Sequence, residues 1–127
     1  LVAEDNDLNQ EIMTELLKQA GAKVDIAKDG IEVVNKFANS FPETYDLILM
    51  DIQMPYCDGY EATKAIRCLD RHDAKSIPVI AMTANVFASD IAASKAAGMN
   101  GHLGKPVDMD LLYRTIAGQL EKMEYES

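Results

Sequence analysis

Apolar positions along this chain change their spacing again and again, from short unbroken or alternating runs to longer stretches of helical period. Such alternation predicts an α/β fold with a parallel sheet. Leu1–Ala3 reads as the remnant of a first strand, followed by a helix capped by Asn6 or Asp7 with Leu8, Ile12, Leu16 and Ala20 on its core face and Gly21 ending it. Val24 and Ile26 alternate with Lys23 and Asp25, as expected of a short strand near a sheet edge, before Asp29-Gly30 turns into a helix carrying Ile31, Val34 and Phe37. Beyond the loop at Pro42, the run Leu47-Ile48-Leu49-Met50 predicts a central strand buried on both faces, and it stops abruptly at Asp51.

The second half repeats the scheme. After the loop from Pro55 to Gly59, Ala62, Ala65, Ile66 and Leu69 mark a third helix, and Pro78 opens the strand Val79–Met82, closed by Thr83. A small-residue helix from about Ser89 to Ala97 ends at Gly98, and a short strand near His102-Leu103 leads to Lys105-Pro106. Asp108 caps a last helix with Leu112, Ile116 and Leu120 inward. The expected architecture is a flavodoxin-like (βα)5 doubly wound sandwich, a five-stranded parallel sheet in order 2-1-3-4-5 with helices on both faces. In such sheets ligands gather at the carboxyl ends of the strands, where the strand order reverses.

Composition narrows the function. At 127 residues the chain suits one domain, and 48% apolar with 26% charged residues is ordinary for a soluble globular protein. No apolar run is long enough for a bilayer, so no membrane role is expected, and the start at Leu1 without Met suggests excision from something longer. The net charge of −9 argues against nucleic-acid binding by this domain. Cys57 and Cys68 are too far apart for a Cys-x-x-Cys motif, so a reducing, cytoplasmic setting with buried or half-buried thiols is expected. Met13, Met50, Met82 and Met109 read as core filler.

Four predicted strands end in polar side chains: Glu4 and Asp5, Asp51, Thr83 and Lys105. Three carboxylates in one small pocket repel one another and are costly to desolvate, and a hard divalent cation resolves that conflict. Mg²⁺ takes oxygen ligands and commonly uses one or two carboxylates beside a phosphate oxygen, a role that suits Asp5 and Asp51. With the cation in place Asp51 can attack phosphorus as a carboxylate nucleophile, while Lys105 and Thr83 stabilise the phosphoryl oxygens.

With Glu4-Asp5-Asn6, Met50-Asp51-Ile52-Gln53-Met54-Pro55 followed by Asp58-Gly59, Met82-Thr83-Ala84 and Gly104-Lys105-Pro106 in order, the chain resembles the receiver domains of two-component signalling, particularly those of hybrid sensor histidine kinases. The resemblance covers essentially the whole chain, with residues 1–120 as the receiver and 121–127 as a polar tail or the start of a linker. It implies that Asp51 accepts a phosphoryl group from a phosphohistidine. It further implies that Asp5 binds Mg²⁺ (or Mn²⁺) directly, Glu4 through a metal-bound water, and Gln53 by its backbone carbonyl. Thr83 and Lys105 would hold the phosphoryl group. In the family that threonine is half of a switch whose other half is an aromatic residue on strand five, a place taken here by His102. Gln53 and Asn85 stand where similar domains tune the lifetime of the aspartyl phosphate. The implied partner is a histidine kinase or histidine phosphotransfer domain, and the last helix and strand with the helix before them form the implied output and dimerisation face, with Phe87, Ala92 and Tyr113 as candidate contacts.

Each residue also has an ordinary reading. Asp51 alone could be a strand-end turn residue, Glu4-Asp5 a solvated acidic loop, and Lys105 a surface lysine. Their coincidence at four strand ends makes those readings jointly improbable. A haloacid-dehalogenase-like Mg²⁺-dependent phosphatase shares the strand-end Asp, but its second Asp two residues later is replaced by Gln53. A flavin-binding module would meet repulsion between its phosphate and Glu4-Asp5. A degenerate receiver that only binds partners would not need the intact acidic and phosphate-holding residues.

Overall fold

The computed structural model describes residues 1–41, 44–54, 56–83, 88–104 and 108–126, with the side chains of all of these except 88–90, 109 and 120–126. The elements run β1 (Val2–Ala3), α1 (Asp7–Gln19), β2 (Ile26–Ala27), α2 (Gly30–Ala38), β3 (Ile48–Asp51), α3 (Gly59–Arg67), a 3-10 turn (His72–Ala74), β4 (Val79–Thr83), α4 (Ala88–Ala97), β5 (Gly101–Gly104) and α5 (Met109–Glu126). All pairings are parallel, in the order β2-β1-β3-β4-β5. The expected doubly wound topology is borne out, with β2 at an edge.

Helix starts follow from capping chemistry. The side-chain oxygens of Asn6, Asp29, Asp58 and Asp108 accept from the backbone N–H groups of Asn9 (3.1 Å), Glu32 (2.7 Å), Glu61 (2.8 Å) and Leu111 (3.0 Å). Gly21 (φ +85°) and Gly98 (φ +102°) supply the left-handed conformation that ends α1 and α4.

The strands feed two apolar layers. Ile48, Met50, Val79 and Ala81 join Val33, Phe37, Ala62 and Ile66 on one face, while Leu49, Ile80, Met82 and Leu103 join Met13, Leu17 and Leu112 on the other. Alternation along fully buried strands sends each set to its own side, so α2 and α3 cover one face and α1 and α5 the other.

Three helices sit in a different rotational phase from the expected one. On α1, Met13 and Leu17 are buried and Leu16 is half-buried, whereas Leu8, Ile12 and Ala20 are exposed. Asn9 and Gln10 turn inward instead, to bond Glu4, and thereby rotate Leu8 and Ile12 outward. On α2, Gly30, Val33 and Phe37 face inward and Ile31 is exposed. A Cβ on Gly30 would collide with the Cys57 carbonyl, so this close approach fixes Gly30, rather than its neighbour, on the inner side. On α3, Ala62, Thr63 and Ile66 are buried and Ala65 is exposed.

Cys68 is exposed rather than buried and Cys57 is half-buried; both are free. Burial, with Glu61, Asp58 and Asp29 nearby, pushes the Cys57 thiol up, away from reactive thiolate. Helix α5 runs through Glu126, into the stretch read as a polar tail.

Candidate functional site

The topology brings the predicted acidic residues together. Strand order reverses between β1 and β3, and Ala3 pairs with Met50, which sets Glu4 level with Asp51 at the carboxyl edge of the sheet. One carboxylate oxygen from each of Glu4, Asp5 and Asp51 lies within 4.8 Å of the others. Glu4 and Asp51 are buried, at 1% and 3% exposure, and Asp5 is exposed. Two carboxylates are thus held in the floor of the crevice and the third closes it from the solvent side.

The two buried acids are held from their own local chain. Glu4 Oε1 accepts from the Asn6 N–H (3.2 Å) and Asn9 Nδ2 (3.4 Å), and the Glu4 carbonyl accepts from Gln10 Nε2 (2.6 Å). The first turn of α1 therefore serves as a bracket for Glu4. Asp51 Oδ1 accepts from the Gln53 N–H at 3.3 Å, which folds the loop after β3 back over the strand end.

Gly59 keeps that loop close. Its N–H donates to the Ile52 carbonyl at 2.8 Å, and a Cβ there would lie 2.5 Å from the Asp51 carbonyl oxygen and 2.8 Å from the Ile52 Cα. The start of α3 can approach the acidic strand end only because position 59 has no side chain. Across the same loop, Tyr56 holds φ 68° and is 84% exposed. That left-handed conformation is costly for a residue with a bulky side chain.

Asp51 pairs with Met82 on β4, so half-buried Thr83 stands one residue further along the same edge, opposite Gly104. Gly104 immediately precedes Lys105 in the chain. Half-buried His102 on β5 pairs with Ala81 on β4. Lys105, Pro106, Ala84, Asn85, Phe87, Pro42 and Pro55 lie outside the described residues, as do the side chains of Met109 and Leu120. Tyr113, expected as a candidate contact, is half-buried, and its hydroxyl donates to the Leu16 carbonyl at 2.7 Å, tying α5 to α1. Ala92 is exposed, as a contact residue must be.

Sequence reasoning missed the bracket around Glu4 and the steric roles of Gly30 and Gly59. Asn9 and Gln10 at consecutive positions near the start of an otherwise amphipathic helix were the available signal.

A donor set made only of carboxylate oxygens, two of them buried, fits a hard divalent cation and offers nothing to a soft one. Among the described residues no helix is long and apolar enough to cross a membrane.

Comparison with known proteins agrees with this arrangement. The family model for the response regulator receiver domain matches residues 1–117. Hybrid signal transduction histidine kinase I of Dictyostelium discoideum is 40% identical over 124 residues, covering 96% of this chain and 7% of that protein. The peroxide stress-activated histidine kinase mak1 of Schizosaccharomyces pombe is 35% identical over 121 residues, covering 94% of this chain and 7% of its own length. This chain thus spans a small part of those relatives. Among solved structures, the receiver domain of a Pseudomonas aeruginosa sensor histidine kinase superposes with a TM-score of 0.84 at 35% identity, covering 94% of each chain, and carries a magnesium ion in its active site cleft. The chain therefore belongs to the response regulator receiver domain family, as a phosphorelay receiver of the kind found in hybrid histidine kinases.

Proposed function

We propose that Asp51 is the phosphoacceptor and that residues 1–120 form the receiver unit, with 121–127 leading toward a linker. A carboxylate oxygen of Asp51 attacks the phosphorus of a phosphohistidine; the P–N bond breaks, its electron pair and a proton restore neutral imidazole, and an aspartyl phosphate remains. The observation that carries this reading is the convergence of Glu4, Asp5 and Asp51 within 4.8 Å at the β1/β3 crevice. Asp5 and Asp51 would hold Mg²⁺, or Mn²⁺ in its place, with Glu4 and the Gln53 carbonyl completing the protein's share. When bound, the cation offsets the carboxylate repulsion and draws a phosphoryl oxygen into the crevice.

In this reading Thr83 donates its hydroxyl to one phosphoryl oxygen and Lys105 neutralises another. His102 is the partner of Thr83 in a switch that reshapes the α4-β5-α5 face, through which the domain dimerises or signals. Gln53 and Asn85 set how easily water reaches the aspartyl phosphate. The module works in the cytoplasm, and its donor is a histidine kinase or histidine phosphotransfer domain.

Incubation with acetyl phosphate and Mg²⁺ tests the chemistry. Mass spectrometry should show a labile phosphoryl adduct that chelation of the metal prevents. Steady turnover of phosphomonoesters without a trapped adduct would instead favour a phosphatase, and absence of both adduct and metal binding a purely binding module.

The donor must also dock. Leu8 and Ile12 are 64% and 49% exposed and lie four residues apart on one face of α1, the helix that starts beside Glu4 and Asp5. An apolar pair at the rim of a charged crevice suits a helix bearing the phosphohistidine. Replacing both by Ala is expected to slow phosphotransfer from a protein donor by about tenfold, through about 1.4 kcal/mol of lost docking, with labelling by acetyl phosphate unchanged. An equal fall with both donors would place the pair in the chemistry rather than in docking.

A further inference from the structure

Arg67 closes α3, and its guanidinium has five N–H donors in a rigid planar fork. All five are used. Nε and Nη2 donate to the Gly98 carbonyl at 3.1 and 2.8 Å, Nη1 to the carbonyls of Ala74 (3.0 Å) and Ile77 (2.7 Å), and Nη2 also to Asn100 Oδ1 (2.8 Å). Among the described residues its acceptors are carbonyl oxygens, with no carboxylate in salt-bridge range. A half-buried cation without such a counterion is an expensive way to fill space, and burial lowers its pKa. Its geometry therefore calls for an account beyond packing.

The acceptors belong to three places: the turn before β4, the end of α4, and the entry to β5. Asn100 extends the link, because its Oδ1 also accepts from the Val79 N–H (2.9 Å) while its own N–H donates to the Val79 carbonyl (2.8 Å). This side chain and backbone together imitate a further rung of the β4/β5 ladder. Gly98 carries φ +102°, and a Cβ there would lie 3.1 Å from Arg67 Cγ, so the turn and the arginine are fitted to each other. The cation also faces the carbonyl end of α4, where a positive charge is favourable.

The opposite end of α4 joins Thr83 through residues 84–87. Helix α4 is built mostly of Ala and Ser, and of the residues with described side chains only Ser94 and Ala97 are buried. Large apolar anchors along its length are thus few compared with the polar clamp at its end.

We propose that Arg67 is a positioning residue that pins the α4–β5 junction to α3 and to the entry of β4, making Gly98 the fixed pivot about which α4 moves. This rests on the phosphoacceptor reading for the source of the motion, while the pin itself is a property of the resting protein. A change at Thr83 then reaches the output face as rotation of α4 about a stationary end.

Amide hydrogen exchange by NMR on the whole chain tests this, in the parent, Arg67→Met and Arg67→Lys, each with and without Mg²⁺ and the phosphoryl mimic beryllofluoride. In the resting state Arg67→Met should speed exchange at Met99, Asn100 and Gly101 by at least about tenfold, while β3 amides stay as slow as global stability allows. Arg67→Lys should not restore protection, since one ammonium cannot span the Gly98, Ala74 and Ile77 carbonyls together. With beryllofluoride, shifts in the parent are expected at the crevice, at His102 and along α4 but not at 98–101, and should spread into 98–101 in Arg67→Met. Unchanged exchange at 99–101, or a rise shared equally by β3, overturns the pin. Shifts that cross into 98–101 in the parent overturn the pivot. If beryllofluoride shifts nothing anywhere in the parent, the phosphoacceptor reading and the proposed pivot fail together, while the resting-state comparison still decides the pin.

Discussion

An Asp51→Asn protein is expected to give no phosphoryl adduct with acetyl phosphate or with a phosphohistidine donor, a complete loss rather than a slowing. The amide oxygen of Asn is a poor nucleophile and cannot carry the mixed anhydride. Folding should respond differently. Asp51 is one of three clustered carboxylates, so removing its charge relieves repulsion in the metal-free protein, and stability without divalent cation should fall by no more than about 1 kcal/mol. Adding Mg²⁺ should then separate the two proteins. At about a hundred times its dissociation constant, the cation stabilises the parent by about 2.7 kcal/mol through preferential binding to the folded state, and it should stabilise the variant much less at the same concentration. Urea unfolding with and without Mg²⁺, run beside mass spectrometry, checks both halves. An adduct surviving in the variant would move the phosphoacceptor elsewhere, and equal stabilisation of both proteins would take Asp51 out of the metal site.

Gly59→Ala should be a strongly damaging single-methyl change beside Asp51. The added Cβ would sit 2.5 Å from the Asp51 carbonyl and 2.8 Å from the Ile52 Cα, both backbone atoms that cannot swing aside as a side-chain tip can. The start of α3 must back away or the end of β3 must bend. We expect a cost of about 2 to 3 kcal/mol in unfolding free energy. Because the displaced atoms belong to the backbone of the proposed nucleophile, the adduct should also form more slowly even where the variant is fully folded. A Gly21→Ala control isolates the geometric effect, since nothing lies within 4 Å of a Cβ there and only its positive φ is penalised. Equal labelling rates in Gly59→Ala and the parent would show that this approach serves packing alone.

Residues at strand ends were legible in the sequence because a strand buried on both faces has a sharp terminus. Leu47–Met50 runs without a polar residue, and the first one, Asp51, must emerge at the edge. Topology then placed Glu4 beside it, as the order of elements required. Helix phase was less legible. On α1 the apolar stripe admits more than one rotation, and the choice was made by Asn9 and Gln10 reaching for Glu4, a tertiary bond with no periodic signature. The outward turn of Ile31 likewise came from a backbone approach at Gly30. Arg67 left no trace at all, because the oxygens it meets are mostly main-chain carbonyls, which every residue type supplies.

The short β1, two residues long, has a bearing on biosynthesis. Its acids and Asp51 are remote in sequence and become neighbours only through side-by-side strand alignment, a long-range closure that forms late relative to local helices. On the proposed function, a nascent or partly assembled copy would lack the three-carboxylate cluster and could not be charged by donors before the topology is complete. A cation held there would then bias the module against reopening.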